Sequence, residues 1–144
     1  MSNSPAKRSI KAIWFVAPIV AILLLVVMRS FLGNQSARAG EKLYAQHCAQ
    51  CHGANGEGYL KLYPPLAGAD YLAKFSETLP CLIRNGAQQP MVVNGVTYRQ
   101  AMPGNAALSD DNIRSILNYI NSSWGNELPP VTYKEVRELL EGCE

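Results

Sequence analysis

The chain has 144 residues, enough for one domain of ordinary size or for a small domain with an appendage. Apolar residues make up 48% of it, which suffices for a core and excludes a disordered chain. The formal net charge of +2 divides unevenly. Residues 1–39 hold five basic residues and no acidic one, whereas residues 40–144 hold eight basic and eleven acidic residues. Because this larger segment is mildly acidic, no nucleic-acid partner is expected.

The first feature along the chain is an apolar segment. Ala12–Met28 contains seventeen residues without a charge, and as a helix it would be about 25 Å long. Lys11 and Arg29 flank it and can extend their charged heads toward the two membrane surfaces. We therefore predict a transmembrane anchor over residues 12–29. Residues 1–11 form a cytoplasmic tail in this prediction, because basic residues before a span stay in the cytoplasm.

A cleaved signal peptide is the alternative to a retained anchor. Ala37-Arg38-Ala39 has the small-x-small form of a cleavage site, but it lies nine residues beyond the apolar segment. Cleavage sites usually follow the apolar segment more closely. We therefore favour a single-pass protein of the bacterial inner (plasma) membrane, with everything after Arg29 on the periplasmic side.

The predicted elements of the next part of the chain are a tether and short helices. Residues 30–36 are polar and contain glycine, which is typical of a tether. A helix-like span follows over residues 37–50 and ends in a cysteine-rich segment and a glycine-rich loop. Residues 69–75 and 77–84 predict two short helices, the second stopped by Gly86.

The C-terminal half combines a hairpin with two further helices. Asn94-Gly95 between β-branched pairs predicts one small β-hairpin. Ser109 precedes apolar residues at helical spacing, which predicts a capped amphipathic helix. Thr132 and Glu135 have the spacing of a capping box and predict the start of a last helix. The predicted fold is therefore all-α with one short β-hairpin.

One motif carries chemistry. Cys48-Ala49-Gln50-Cys51-His52 has the Cys-x-x-Cys-His pattern of c-type haem attachment. Two thiols three residues apart match the two vinyl groups of the porphyrin, and the next residue offers an imidazole to the iron. A thioredoxin-like redox pair would need a βαβ context, which the sequence lacks. A zinc site would need two more ligands at fixed spacing, which the other cysteines do not provide.

From about residue 40 to residue 126 the chain resembles a class I cytochrome c of the periplasmic electron-transfer type. The matching stretches are Gly40-x-x-x-Tyr44, Cys48–Gly53, Pro64–Gly68, Val93–Gly95, Tyr98-x-x-x-Met102-Pro103, Leu108–Asp110, Tyr119-Ile120 and Trp124–Asn126. The resemblance implies a small helical domain around one covalently attached haem c, with the helix of Gly40 and Tyr44 crossing the helix of Tyr119. It places the cytochrome c domain at residues 37–126 and leaves residues 127–144 as a C-terminal helical extension packed on the domain.

The axial ligands of the iron are expected to be His52 and Met102. The other histidine, His47, adjoins Cys48 and cannot reach the opposite face of the porphyrin. Met91 begins a predicted strand, where methionine is usually a packing residue. Met102 lies in a loop before the C-terminal helix, where the resemblance also places the ligand. Histidine–methionine ligation raises the reduction potential and suits a high-potential carrier.

Further candidate residues around the haem come from the resemblance and from chemistry. A metal-bound histidine usually donates its other N–H to an acceptor, and the resemblance assigns that role to a proline carbonyl, here that of Pro65. Tyr98 and Trp124 could donate to haem propionates, or could equally be core aromatic residues. Cys81 and Cys143 are either two separate buried thiols or a disulfide, and an oxidising compartment favours the disulfide.

A six-coordinate haem leaves no open position on the iron, so we expect an electron carrier rather than an enzyme. The leading hypothesis is a membrane-anchored monohaem cytochrome c that carries single electrons between a quinol-oxidising respiratory complex and a terminal oxidase or reductase. The alternative is a fixed haem subunit of a membrane-bound oxidoreductase complex. A haem sensor is disfavoured, since it would need an output domain.

Overall fold

The computed structural model describes the backbone of residues 11–143 and the side chains of residues 16–30 and 37–143. The predicted cytoplasmic tail, residues 1–11, therefore lies outside the described residues except for the backbone of Lys11. The chain divides into two compact units, with the boundary between Gln35 and Ser36.

The first unit is helical. Helix α1 begins at Lys11 and ends at His47, and every described side chain between residues 16 and 30 is exposed. Within the described residues, no helix combines the length and the apolar composition that a membrane span requires.

The predicted tether, residues 30–36, is helical instead of irregular. Helix propagation explains this difference: once turns exist on both sides, each further residue adds one hydrogen bond at little cost. Gly33 is the least favourable residue of this stretch, and a glycine costs only about 1 kcal/mol relative to alanine. The helix therefore continues across a segment whose composition suggested a linker.

The second unit contains the end of α1 and five further α-helices. Their bounds are α2 Ala49–His52, α3 Asp70–Lys74, α4 Leu79–Asn85, α5 Asp110–Ser122 and α6 Tyr133–Glu141, with a 3₁₀ turn at Ser76–Thr78. The helix predicted over residues 37–50 thus breaks at Cys48, which separates α1 from α2. Ser109 caps α5 by accepting a hydrogen bond from the backbone of Asn112, and α6 opens with the Thr132–Glu135 capping box.

Two antiparallel strand pairs are present where the sequence predicted one. Strands β2 (Met91–Val93) and β3 (Val96–Tyr98) form the expected hairpin, with positive φ at Asn94 and Gly95 in the turn. Strands β1 (Gly86–Ala87) and β4 (Met102–Pro103) form the second pair. This pair was not predicted because each strand has two residues, too few to show an alternating pattern.

The core is formed by apolar residues of α3, α4, α5 and α6, together with Tyr44 of α1 and residues of the β2–β3 hairpin. The apolar side of α5 is fully buried at Ile113 and Ile116. Gly40 of α1 lies so close to Ser115 and Tyr119 of α5 that a Cβ atom at residue 40 would overlap them. Glycine is therefore required where the two helices cross.

Helix α6 packs on this core through its apolar side. Val136 is fully buried, and Leu140 contacts the same apolar cluster. Cys81 of α4 and Cys143, just after α6, form a disulfide with a Cα–Cα distance of 5.5 Å. The C-terminal segment is therefore attached to the domain both by apolar contacts and by a covalent bond.

Candidate haem site

The second unit contains an apolar cavity of about 140 Å³. Well-packed protein interiors have few voids larger than a water molecule, so a space of this size indicates a site for an apolar group. Its apolar walls come from α3, α4 and α5. They include Leu72, Leu79, Ile83, Ile116, Leu117 and Ile120.

The Cys-x-x-Cys-His motif lies at one wall of this cavity. Cys48, Cys51 and His52 all line it, and all three are half-buried. The backbone N–H of His52 donates to the Cys48 carbonyl at 2.9 Å, so the motif is wound into a single helical turn. Both thiols are free, so the two cysteines of the motif do not form a disulfide with each other.

Burial changes the ionisation of the Cys48 thiol. Loss of solvent is the main cause that raises its pKa to about 11, and the neighbouring Cys51 adds to the shift. The thiol is therefore protonated at neutral pH, because a buried thiolate would lack solvation.

His52 is held by a backbone carbonyl. Its Nδ1 atom lies 2.9 Å from the carbonyl oxygen of Pro64. Since a carbonyl can only accept, Nδ1 carries the proton and Nε2 keeps its lone pair. Burial lowers the pKa of His52, although the bond to Pro64 opposes this shift. The imidazole is therefore neutral at pH 7 and offers Nε2 as a ligand.

The acceptor for His52 was predicted to be Pro65, and this prediction is wrong by one residue. A residue that precedes a proline is biased to an extended conformation, and here that residue is Pro64. In extended backbone, successive carbonyls point to opposite sides. Only one of the two proline carbonyls can therefore face the imidazole, and it is that of Pro64.

Both candidate methionines line the cavity. Met102 lies in β4, where its backbone is in register with Ala87 of β1, and it is half-buried. Met91 lies in β2 opposite Tyr98, and Tyr98 also lines the cavity with only 7% of its surface exposed. The cavity therefore brings two thioethers to the same space as the thiols and the imidazole.

Trp124 is not among the residues that line the cavity, and its packing agrees with the second of its two alternatives, a core aromatic residue. Its ring packs in an aromatic cluster, with centroid distances of 5.0 Å to Tyr44 and 5.3 Å to Tyr119. The backbone of Trp124 has a φ of +54°, which directs the ring onto Gly56, where a side chain would collide with it. The tryptophan therefore belongs to the junction between α1, α5 and the loop after the motif.

His47 lies at the rim of the cavity. It is exposed, and its Nδ1 atom is 3.4 Å from the side-chain amide nitrogen of Asn105.

One buried asparagine was missed by the sequence analysis. Asn126 is 9% exposed, and its side chain bonds to three backbone groups, those of Leu66, Gly68 and Ile120. In the sequence it stood out only as the last residue of the Trp124–Asn126 stretch, one of those that resemble class I cytochrome c.

Comparison with known proteins decides the family. The family model described as cytochrome c matches residues 37–124, well over half of the chain. The chain belongs to the cytochrome c family. Membership implies a covalently bound haem c and a role in electron transfer. The free thiols of Cys48 and Cys51 and the neutral imidazole of His52 are the groups that such an attachment requires.

Individual relatives agree with this family. The chain is 39% identical to cytochrome c-552 of Thermus thermophilus over 109 residues, which cover 69% of this chain and 82% of the relative. It is 36% identical over 112 residues to the cytochrome c subunit of a quinone alcohol dehydrogenase from Gluconacetobacter polyoxogenes. The match covers 76% of this chain but only 24% of that subunit.

Proposed function

We propose that this protein is a membrane-anchored monohaem cytochrome c that carries single electrons between a quinol-oxidising respiratory complex and a terminal oxidase or reductase. One observation carries the proposal. A single apolar cavity collects two free thiols, a neutral imidazole and a thioether from two separate places in the chain, the motif with Cys48, Cys51 and His52 and the strand with Met102.

These groups match the chemistry of one haem c. Cys48 and Cys51 would hold it through thioether bonds, and His52 Nε2 and the Met102 sulfur would bind the iron. When bound, the haem supplies a one-electron couple between ferrous and ferric iron. The apolar walls exclude water and disfavour the extra charge of the ferric state, which raises the reduction potential. Pro64 fixes the imidazole ring and keeps its proton on Nδ1.

The cavity is not equipped for acid–base catalysis. Among its described lining residues there is no aspartate, glutamate, lysine or arginine. If His52 and Met102 both bound the iron of the haem, a substrate would have no place on it. We therefore assign electron transfer, without a catalytic reaction of its own.

The proposal of a membrane anchor is based on the first unit of the chain. Its described apolar side chains between Val16 and Met28 are each 47–64% exposed. Such a length of exposed apolar surface is unfavourable in water and would be accommodated in lipid. Together with the basic residues before it, this surface supports an inner-membrane location with the haem domain in the periplasm. Tethering would raise the effective concentration of the domain near membrane partners.

A fixed subunit of a membrane oxidoreductase is the second candidate. The observation in its favour is the similarity to the cytochrome c subunit of a quinone alcohol dehydrogenase, a protein four times longer than the matched stretch. In that case the anchor and α6 would hold the chain in a larger complex.

The test begins with the full chain produced in a bacterium that attaches haem c. Denatured protein on a gel should retain haem-dependent peroxidase staining, and the intact mass should increase by one haem. Cys51→Ser should leave at most one thioether bond, which the haemochrome spectrum detects. Absence of covalent haem from the wild-type chain would refute the proposal.

Purification in mild detergent then separates the two candidates. A free carrier should migrate alone, whereas a fixed subunit should remain with large partners.

A further inference from the structure

We propose that Asn126 is a positioning residue for His52, because its side chain holds the loop that presents the Pro64 carbonyl to the imidazole. The inference rests on the proposed function, since it concerns the proximal ligand of a bound haem. It assigns a role to a residue outside the Cys-x-x-Cys-His motif and outside the cavity lining.

The side chain of Asn126 connects two walls of the cavity. Its Nδ2 donates to the carbonyl of Leu66 at 3.0 Å and to that of Ile120 at 2.9 Å. Its Oδ1 accepts from the backbone N–H of Gly68 at 2.8 Å. Leu66 and Ile120 both line the cavity, so one buried carboxamide joins the loop after the motif to the end of α5.

The loop is also held by backbone hydrogen bonds and by Asn94, whose Nδ2 donates to the Gly68 carbonyl at 3.2 Å. The N–H groups of Leu66 and Ala67 both donate to the carbonyl of Gly56, at 2.7 and 2.9 Å. Asn126 supplies the side-chain bonds that join this loop to α5. Pro64, which bonds to His52, lies only two residues before Leu66. A shift of the loop would therefore move the Pro64 carbonyl away from Nδ1.

Loss of the carboxamide would remove one hydrogen bond from each of three backbone groups. The Leu66 and Ile120 carbonyls would keep only their longer bonds, from the N–H of Ala69 at 3.4 Å and from that of Ser123 at 3.3 Å, and the Gly68 N–H would lose its bond to Asn126. Because the lost bonds no longer hold the loop to α5, the loop can shift toward solvent. We expect this movement to lengthen the bond between Pro64 and His52 and to free the ring to rotate, since such outer hydrogen bonds orient metal-bound histidines.

The chain offers a matched control at Asn118 of α5. Its Nδ2 donates to the carbonyl of Val131 at 3.0 Å, and its Oδ1 accepts from the N–H of the same residue at 2.7 Å. It is also partly buried, but it holds the segment before α6 instead of the loop beside His52. A variant at Asn118 therefore reproduces the loss of a carboxamide that bonds to backbone groups, without touching the loop.

The experiment measures solvent exchange of the His52 Nδ1 proton by NMR in the haem-loaded full chain in detergent. We expect slow exchange in the wild type, exchange at least about tenfold faster in Asn126→Ala, and the wild-type rate in Asn118→Ala. Backbone amides of α4, to which neither asparagine side chain hydrogen-bonds, are measured in the same samples and correct for global opening. Reduction potentials recorded alongside should shift in Asn126→Ala and stay unchanged in Asn118→Ala.

Equal exchange rates in the two variants after this correction would overturn the inference, as would a wild-type proton that exchanges as fast as free imidazole. If Asn126→Ala does not fold, Asn126→Asp keeps the acceptor for Gly68 and loses the Nδ2 donor, with Asn118→Asp as its control. We then expect the His52 Nδ1 proton to exchange faster in Asn126→Asp than in Asn118→Asp. A chain without covalent haem would refute the proposed function, whereas normal haem with an unaffected His52 proton would refute only this inference.

Discussion

The hydroxyl of Tyr44 donates a hydrogen bond to the carbonyl of Gly53 at 2.6 Å. This hydrogen bond joins the last turns of α1 to Gly53, the residue that follows the proposed iron ligand His52. Tyr44 is 1% exposed, and burial is the main cause that raises its pKa, so the hydroxyl stays protonated and remains a donor. The helix that crosses α5 is thereby linked directly to the haem-attachment motif.

Replacing Tyr44 by phenylalanine tests this link. The variant keeps the ring contacts with Tyr119 and Trp124 but leaves the Gly53 carbonyl with only the longer bond from the Gly56 N–H, at 3.3 Å. We expect the free energy of unfolding to fall by about 0.5–1.5 kcal/mol, the net contribution of one intramolecular hydrogen bond. Guanidinium unfolding of the haem-loaded protein measures it. Tyr133→Phe, at a residue 48% exposed, is the control and should be neutral. Equal stability of both variants would contradict the role of the bond.

Removal of the disulfide should destabilise the domain without removing the haem. The bond closes a loop of 62 residues, and the chain-entropy model assigns it up to about 4 kcal/mol. We expect the double variant Cys81→Ser/Cys143→Ser to unfold at lower denaturant concentration while its thioether-linked haem remains. Mass spectrometry of unreduced wild-type peptides should join the two segments. Ready alkylation of both cysteines without a reductant would contradict this pairing.

The choice between the two cavity methionines can be tested by spectroscopy. Methionine bound to ferric haem gives a weak sulfur-to-iron charge-transfer absorption at the red end of the spectrum. We expect Met102→Ala to lose this absorption and Met91→Ala to keep it, since β4 holds Met102 in register with β1 beside the cavity. Loss of the absorption in Met91→Ala alone would show that Met91 is the ligand.

The proposed anchor predicts how the protein fractionates. If residues 12–29 are retained in lipid, the haem should stay with membranes after high-salt and carbonate washing, because apolar burial does not depend on ionic strength. A chain that begins near Ser36, exported by another signal, should be released and keep its haem. It should also transfer electrons to membrane partners more slowly, since the tether no longer concentrates it. A native N-terminus at Gly40 would instead indicate a released periplasmic carrier.

Local patterns were interpreted reliably where a short stretch of sequence dictates the geometry. Asn94-Gly95 predicted the turn of the β2–β3 hairpin because both residues accept a positive φ. The Thr132–Glu135 capping box predicted the start of α6 because its bonds form within four residues. The composition of residues 30–36 predicted a tether, and this prediction was wrong. The helical turns on both sides favour continued helix more than one glycine and a few polar residues disfavour it.

The sequence by itself determined the family and predicted the candidate haem-attachment residues, because Cys48, Cys51 and His52 lie within one helical turn. Only the tertiary structure decided that Pro64 rather than Pro65 accepts from His52, that Trp124 packs on Tyr44, and that Asn126 joins the loop to α5. The physical reason is distance along the chain. Asn126 and Leu66 are 60 residues apart, and no local propensity specifies which backbone groups such a side chain will meet once the core has packed.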